Sequence, residues 1–130
     1  MKKVLIIEDD IILSATLADN INHKGFETLH ARDGEEGLDM ALIIKPDLIL
    51  LDILLPKMDG LTMLRKLRKD PWGKDVPVII LSNLNMPKNG VAGIGGDVSE
   101  YLVKVDWKIE DVMTKIENVI KNKGTSKVTV

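Results

Sequence analysis

Cysteine is absent from the sequence. That excludes a disulfide framework, a thiolate metal site and a cysteine nucleophile, and it fits a cytosolic chain without requiring one. Aromatic residues make up only 3% of the 130 residues, so the core must be aliphatic and stacking platforms for nucleic-acid bases are scarce. An excess of charge is also missing: 18 Lys and Arg against 20 Asp and Glu leave −2. So small a balance gives no sign of direct nucleic-acid or acidic-lipid binding. No apolar stretch reaches about 18 residues, and no secretory h-region follows Lys2 and Lys3; the expectation is a cytoplasmic chain with no membrane partner. No glycine-rich loop follows the first apolar run, which removes the dinucleotide fingerprint and the P-loop. At 14.4 kDa there is room for one domain with one core.

What is present is a set of short apolar runs: Val4 to Ile7, Phe26 to Ala31, Leu48 to Leu51, Val78 to Leu81 and Tyr101 to Val103. The first, third and fourth are continuously apolar, the pattern of strands buried on both faces of a parallel sheet. The second alternates, with Glu27, Thr28 and His30 among its apolar residues, and reads as an edge strand. Between the runs lie helical stripes: Leu13, Leu17 and Ile21, ended at Gly25; Leu38, Ala41 and Leu42, opened by Asp33-Gly34 and ended before Pro46; Leu61, Leu64 and Leu67, closed by Asp70-Pro71. The last stripe, Ile109, Val112, Met113, Ile116, Val119 and Ile120, has Asp106 near its start and Gly124 beyond its end. The segment Asn83 to Glu100 holds Pro87, Gly90, Gly93, Gly95 and Gly96, and at about 0.8–1 kcal/mol per Gly relative to Ala it predicts a short or irregular fourth helix. The order is β-α repeated five times, an open doubly wound parallel sheet occupying residues 1–123, with 124–130 a frayed tail. Since the five units use nearly the whole chain, any output is expected to come from another chain.

In such sheets ligands bind beyond the C-terminal ends of the strands, where the strand order reverses. Glu8, Asp9 and Asp10 follow the first strand and Asp52 follows the third. If those strands are neighbours, several carboxylates converge on one crevice, and a hard divalent cation such as Mg²⁺ relieves their repulsion. Ser82 ends the fourth strand and Lys104 the fifth. A carboxylate cluster, a hydroxyl and an ammonium at successive strand ends suit a phosphate-type oxyanion. Read singly, Asp10 is a helix N-cap before Ile11, Ser82 and Lys104 are ordinary strand-end residues, and His23 and His30 are surface residues. Met40, Met58, Met63, Met86 and Met113 are core or loop filler. Asp52 resists the capping reading, because Pro56 and Asp59-Gly60 argue for a loop after it.

Taken together, Glu8-Asp9, Asp52 with Pro56 and Asp59-Gly60, Ser82, and the run Tyr101-Leu102-Val103-Lys104 resemble the response-regulator receiver domains of two-component phosphorelay signalling, over Lys3 to about Lys123. The resemblance implies a flavodoxin-like strand order 2-1-3-4-5. It implies that Asp52 accepts a phosphoryl group from a histidine kinase or phosphotransfer protein. Asp9, Asp52 and the Leu54 carbonyl would hold Mg²⁺, with Glu8 acting through water. Lys104 and Ser82 would contact phosphoryl oxygens, Ser82 and Tyr101 would form the switch, and a downstream protein would read the fourth-helix, fifth-strand, fifth-helix face.

The chain departs from the family pattern at Val105, where proline usually follows the lysine across a cis bond, at Asn83, where a small residue is usual, and in its glycine-rich fourth segment. Leu54 and Leu84 occupy the positions that tune phosphoryl lifetime in such domains, and two apolar side chains there imply slow self-dephosphorylation without conventional enzymatic turnover. Two other readings stay open: a degenerate receiver-like interaction module that is not phosphorylated, and an aspartate-dependent phosphohydrolase. The hydrolase reading lacks the second aspartate normally found two residues after the nucleophile, where Leu54 stands.

Overall fold

A computed structural model of the chain describes residues 1–82, 100–103 and 108–121, with Ser82 and 100–103 described as strand backbone only. The expected fourth helix, Asn83, Leu84, Met86, Lys104, the Lys104–Val105 bond, Asp106 and the tail 124–130 lie outside the described residues. The strands are β1 (Lys3–Ile7), β2 (Glu27–Ala31), β3 (Leu48–Asp52), β4 (Val78–Ser82) and β5 (Glu100–Val103). They form one parallel sheet in the order β2-β1-β3-β4-β5. The described helices are α1 (Ile11–His23), α2 (Gly34–Ile44), α3 (Gly60–Arg68) and a C-terminal helix, Ile109–Lys121.

Strand parity explains why the central runs are continuously apolar. Leu5, Ile7, Ile49, Leu51, Val78 and Ile80 face α2 and α3 and pack with Ala41, Met63, Leu64 and Leu67. Val4, Ile6, Leu48, Leu50, Ile79 and Leu81 face the opposite side and pack with Leu17, Ile21, Val112 and Ile116 of α1 and the C-terminal helix. Both faces are therefore dry, and β2 at the sheet edge carries the more exposed pattern. Every helical stripe read from the sequence meets one of these two cores. Met63 and Met113 are buried core, and Met40 and Met58 pack at its margin.

Helix boundaries follow local chemistry. Asp10, Asp33 and Asp59 are the N-caps of α1, α2 and α3, each accepting from backbone N–H groups of the first turn. Gly25, at φ +93°, turns the chain from α1 into β2. α2 stops at Ile44 because Lys45, left-handed at φ 55°, precedes Pro46. α3 ends two residues before Asp70, whose carboxylate accepts from Trp72 and Gly73 N–H in the next turn. Among the described residues no helix is long and apolar enough to cross a membrane.

The two-sided core sets a clear contrast in mutational cost. Leu50→Ala, at a position 1% exposed, is expected to lose about 2–5 kcal/mol. Ile43→Ala, at a position 79% exposed, is expected to stay within about 0.5 kcal/mol of the parent. Urea unfolding measures both, and equal losses at the two positions would contradict this packing.

Candidate functional site

The parallel register brings the acidic positions together. Ile7 pairs with Leu51 at the end of the β1–β3 ladder, so Glu8 and Asp52 follow side by side at the C-terminal edge of the sheet. Here the strand order reverses: β2 lies on one side of β1, and β3 on the other. Glu8 has the strand parity of Ile6, and Asp52 that of Leu50. Both carboxylates sit above a recess lined by Ile6, Leu17, Leu50 and Leu81.

Carboxylate oxygens of Glu8, Asp9 and Asp52 all lie within 4.8 Å of one another. Glu8 and Asp52 are each only 4% exposed, whereas Asp9 is exposed. Local hydrogen bonds fix the two buried groups. Glu8 Oε2 accepts the Asp10 N–H at 3.0 Å, and the Glu8 N–H donates to the Ala31 carbonyl at 3.0 Å, tying it to β2. Asp52 Oδ1 accepts the Leu54 N–H at 3.2 Å. Hard carboxylate oxygens, clustered and mostly withdrawn from water, fit a small divalent cation of the Mg²⁺ class.

The structure thus gathers Glu8, Asp9 and Asp52 and sets Asp10 aside as a cap, its Oδ1 accepting from Ile12 and Leu13. Leu54 lies in the loop after β3, 52% exposed. Ser82 is the last residue of β4, one step past Leu81, which pairs with Asp52. Tyr101 lies within β5, paired with Ile80. Lys104 is outside the described residues, immediately after β5. His30 is exposed as expected, and its Nδ1 lies 2.7 Å from Ser14 Oγ in a hydrogen bond that joins β2 to α1.

The loop from Ile53 to Asp59 is more constrained than its sequence suggests. The Gly60 N–H donates to the Ile53 carbonyl at 2.8 Å, and a Cβ on Gly60 would collide with the Asp52 carbonyl oxygen, so only glycine lets α3 start this close to the end of β3. Lys57 is left-handed at φ 66°, in a three-residue turn closed by the Met58 N–H on the Pro56 carbonyl at 2.7 Å. Apart from Met1 and Ile43, the large exposed apolar side chains among the described residues are Ile11, Ile12 and Leu54. All three lie one or two residues after an acidic position in sequence.

Residues 4–117 match the family profile of the response regulator receiver domain. The chain is 32% identical over 121 residues to the DNA-binding dual master transcriptional regulator RpaA of Synechocystis sp., a match covering 93% of this chain and 50% of that protein. It spans about half the length of the curated relatives it matches. The receiver domain of the Francisella response regulator 1452 superposes with a TM-score of 0.83 at 30% identity, covering 94% of this chain and 98% of that one. The receiver domain of sensor histidine kinase PA1611 from Pseudomonas aeruginosa, solved with a magnesium ion in its active-site cleft, has the same fold, with a TM-score of 0.81 at 24% identity and coverage of 92% and 98%.

At the foot of the site loop, the Asp59 carboxyl is held below its ordinary value of 3.8, chiefly by the Thr62 backbone N–H at 2.9 Å, against a partial desolvation that acts the other way. The Thr62 hydroxyl, the Leu61 N–H and Arg65 lower it further. A carboxyl whose folded value is depressed contributes stability above its unfolded value, and loses it as pH falls through the folded one. Asp59→Ala is therefore expected to cost about 0.5–2 kcal/mol near neutrality, with the gap to the parent closing as pH drops below 3.8. Urea midpoints of both proteins across that range test this. A gap that stays constant into acid would show that the charge of Asp59 is not what supports α3.

Proposed function

The chain belongs to the response-regulator receiver family, and on that premise we propose that Asp52 is its phosphoryl acceptor, with a histidine kinase or phosphotransfer protein as donor. The observation that carries the reading is the trio Glu8, Asp9 and Asp52, gathered within 4.8 Å where the strand order reverses. An Asp52 carboxylate oxygen forms the new O–P bond as the donor's N–P bond breaks, and the leaving imidazole takes up a proton. The Leu54 N–H on Asp52 Oδ1 helps to orient that carboxylate for attack. Asp9, Asp52 and the Leu54 carbonyl would hold Mg²⁺, with Glu8 acting through water; the ion supplies neutralising charge for the oxygens in transfer. Lys104 serves as a second cation for those oxygens, and Ser82 and Tyr101 as the pair that senses them, all three carried over from the family pattern.

A donor as large as a protein would meet exposed apolar side chains next to the acidic positions in sequence, Ile11, Ile12 and Leu54. That favours a protein surface over a free phosphate ester as the physiological source, and a donor of this kind places the chain in the cytoplasm. The effector of the phosphorylated form is a downstream protein on the β5 and C-terminal helix face. Hydrolase chemistry is disfavoured because Leu54 cannot act as an acid or base two residues after Asp52.

Incubation with Mg²⁺ and acetyl phosphate, followed by intact mass measurement, is expected to show one added phosphoryl group that is absent from Asp52→Asn. No adduct in the parent would favour the degenerate module, and continuous phosphate release from several esters would favour the hydrolase. With the donor removed, the adduct is expected to persist for hours, because the two positions that tune phosphoryl lifetime in the family pattern carry apolar Leu54 and Leu84 in this sequence. Decay within seconds would contradict that assignment.

A further inference from the structure

α2 and the site loop touch through a contact that the phosphoryl-acceptor reading leaves unused. Asp33 caps α2 with Oδ1 on the Glu36 N–H at 2.8 Å, while its Oδ2 lies 3.7 Å from Lys57 Nζ. The next residue, Gly34, begins α2 against the backbone of Met58, and a Cβ there would run into the Met58 carbonyl oxygen. Lys57 and Met58 form the tight turn already described, whose left-handed Lys57 costs energy that glycine would not. At the other end of the loop, Gly60 abuts the Asp52 carbonyl in the same intimate way. The nine residues from Asp52 to Gly60 are thus closed end to end by the Gly60 contact with Asp52, and the Lys57-Met58 turn is held against α2 by Gly34 and the Asp33 ion pair. Their second peptide, Ile53–Leu54, carries the Leu54 N–H on Asp52 Oδ1.

We infer that Asp33 and Gly34 are positioning residues for the site: by holding the Lys57-Met58 turn against α2, they set the Leu54 peptide and through it the orientation of the Asp52 carboxylate. This rests on the proposed role of Asp52 for its functional meaning, but its structural core does not. Anything that displaces the start of α2 would then be felt at Asp52, along covalent structure and contacts only a few residues long. The Asp33-Gly34 pair looks from sequence like a plain helix start. In the fold it is a second wall of the acceptor loop.

Asp33→Asn separates the two roles of Asp33, since asparagine is as good a cap but carries no charge for Lys57. Lys57→Arg keeps the ion pair. Gly34→Ala forces the turn to move. In metal-free protein, the Leu54 amide resonance is expected to shift in Asp33→Asn and Gly34→Ala and to stay near its parent position in Lys57→Arg. The Mg²⁺ dissociation constant, titrated by the same resonances, is expected to weaken about two- to fivefold in Asp33→Asn, the range of one partly exposed ion pair, and further in Gly34→Ala. Should Gly34→Ala fail to fold, Asp33→Asn and Lys57→Arg decide the matter. Variants with altered melting temperature but an unmoved Leu54 amide and unchanged Mg²⁺ binding would overturn the inference. A parent protein that neither binds Mg²⁺ nor takes up a phosphoryl group would instead overturn the acceptor reading, and the metal-free Leu54 shift would still report on the clamp.

Discussion

Two buried carboxylates side by side, Glu8 and Asp52, are the constraint around which the upper edge of the molecule is arranged. Like charges within 4.8 Å repel by roughly 3–4 kcal/mol at an effective dielectric of about 20, before neighbouring groups offset any of it. A fold tolerates this only where something of opposite sign is meant to arrive, or where fixed donors compensate. The Asp10 N–H on Glu8 and the Leu54 N–H on Asp52 are such donors. They also use one oxygen of each carboxylate and so restrict how the rest can point. The same repulsion favours a small dication.

The remainder of the fold serves to hold those strand ends still. Because β1, β3 and β4 are apolar on both faces, their register cannot slip by one residue without driving carboxylates into a dry core. Parity then fixes which side the acids occupy: Glu8 continues the row of Val4 and Ile6, and Asp52 the row of Leu48 and Leu50. Glu8 and Asp52 are set at the ends of the central strands β1 and β3, the arrangement in which a group can be positioned without mobile supports.

Much of this was legible in the sequence for physical reasons. Continuous apolar runs such as Val4 to Ile7, at strand length and separated by helical stripes, point to buried parallel strands, and parallel strands joined by helices place their ends on one edge, so neighbouring β1 and β3 group Glu8, Asp9 and Asp52. Asp10 as a cap followed from its place before Ile11 and is seen on the Ile12 and Leu13 amides. What could not be read was side-chain traffic between distant segments. Nothing in Ser14 or His30 announces their hydrogen bond, since they are 16 residues apart. Lys57 gives no warning of its left-handed backbone, because the usual signal for that conformation is glycine or asparagine. Gly34 was read by its local role at a helix start, and its approach to Met58 is a tertiary fact with no period or motif to mark it.

That contrast bears on how the site loop works. A loop shaped by its own sequence would carry glycine where the backbone turns left-handed, but here glycine stands at the two contact points, Gly34 and Gly60, and lysine stands at the turn. The shape is therefore imposed from outside, by α2 on one flank and by the β3 backbone on the other. A segment held this way stores its conformation in its neighbours, so the geometry at Asp52 depends on where α2 begins as much as on β3 itself. The Asp52 carboxylate is buried and hydrogen-bonded at the end of its strand, and the Leu54 peptide is the contact through which a shift at the start of α2 would reach it.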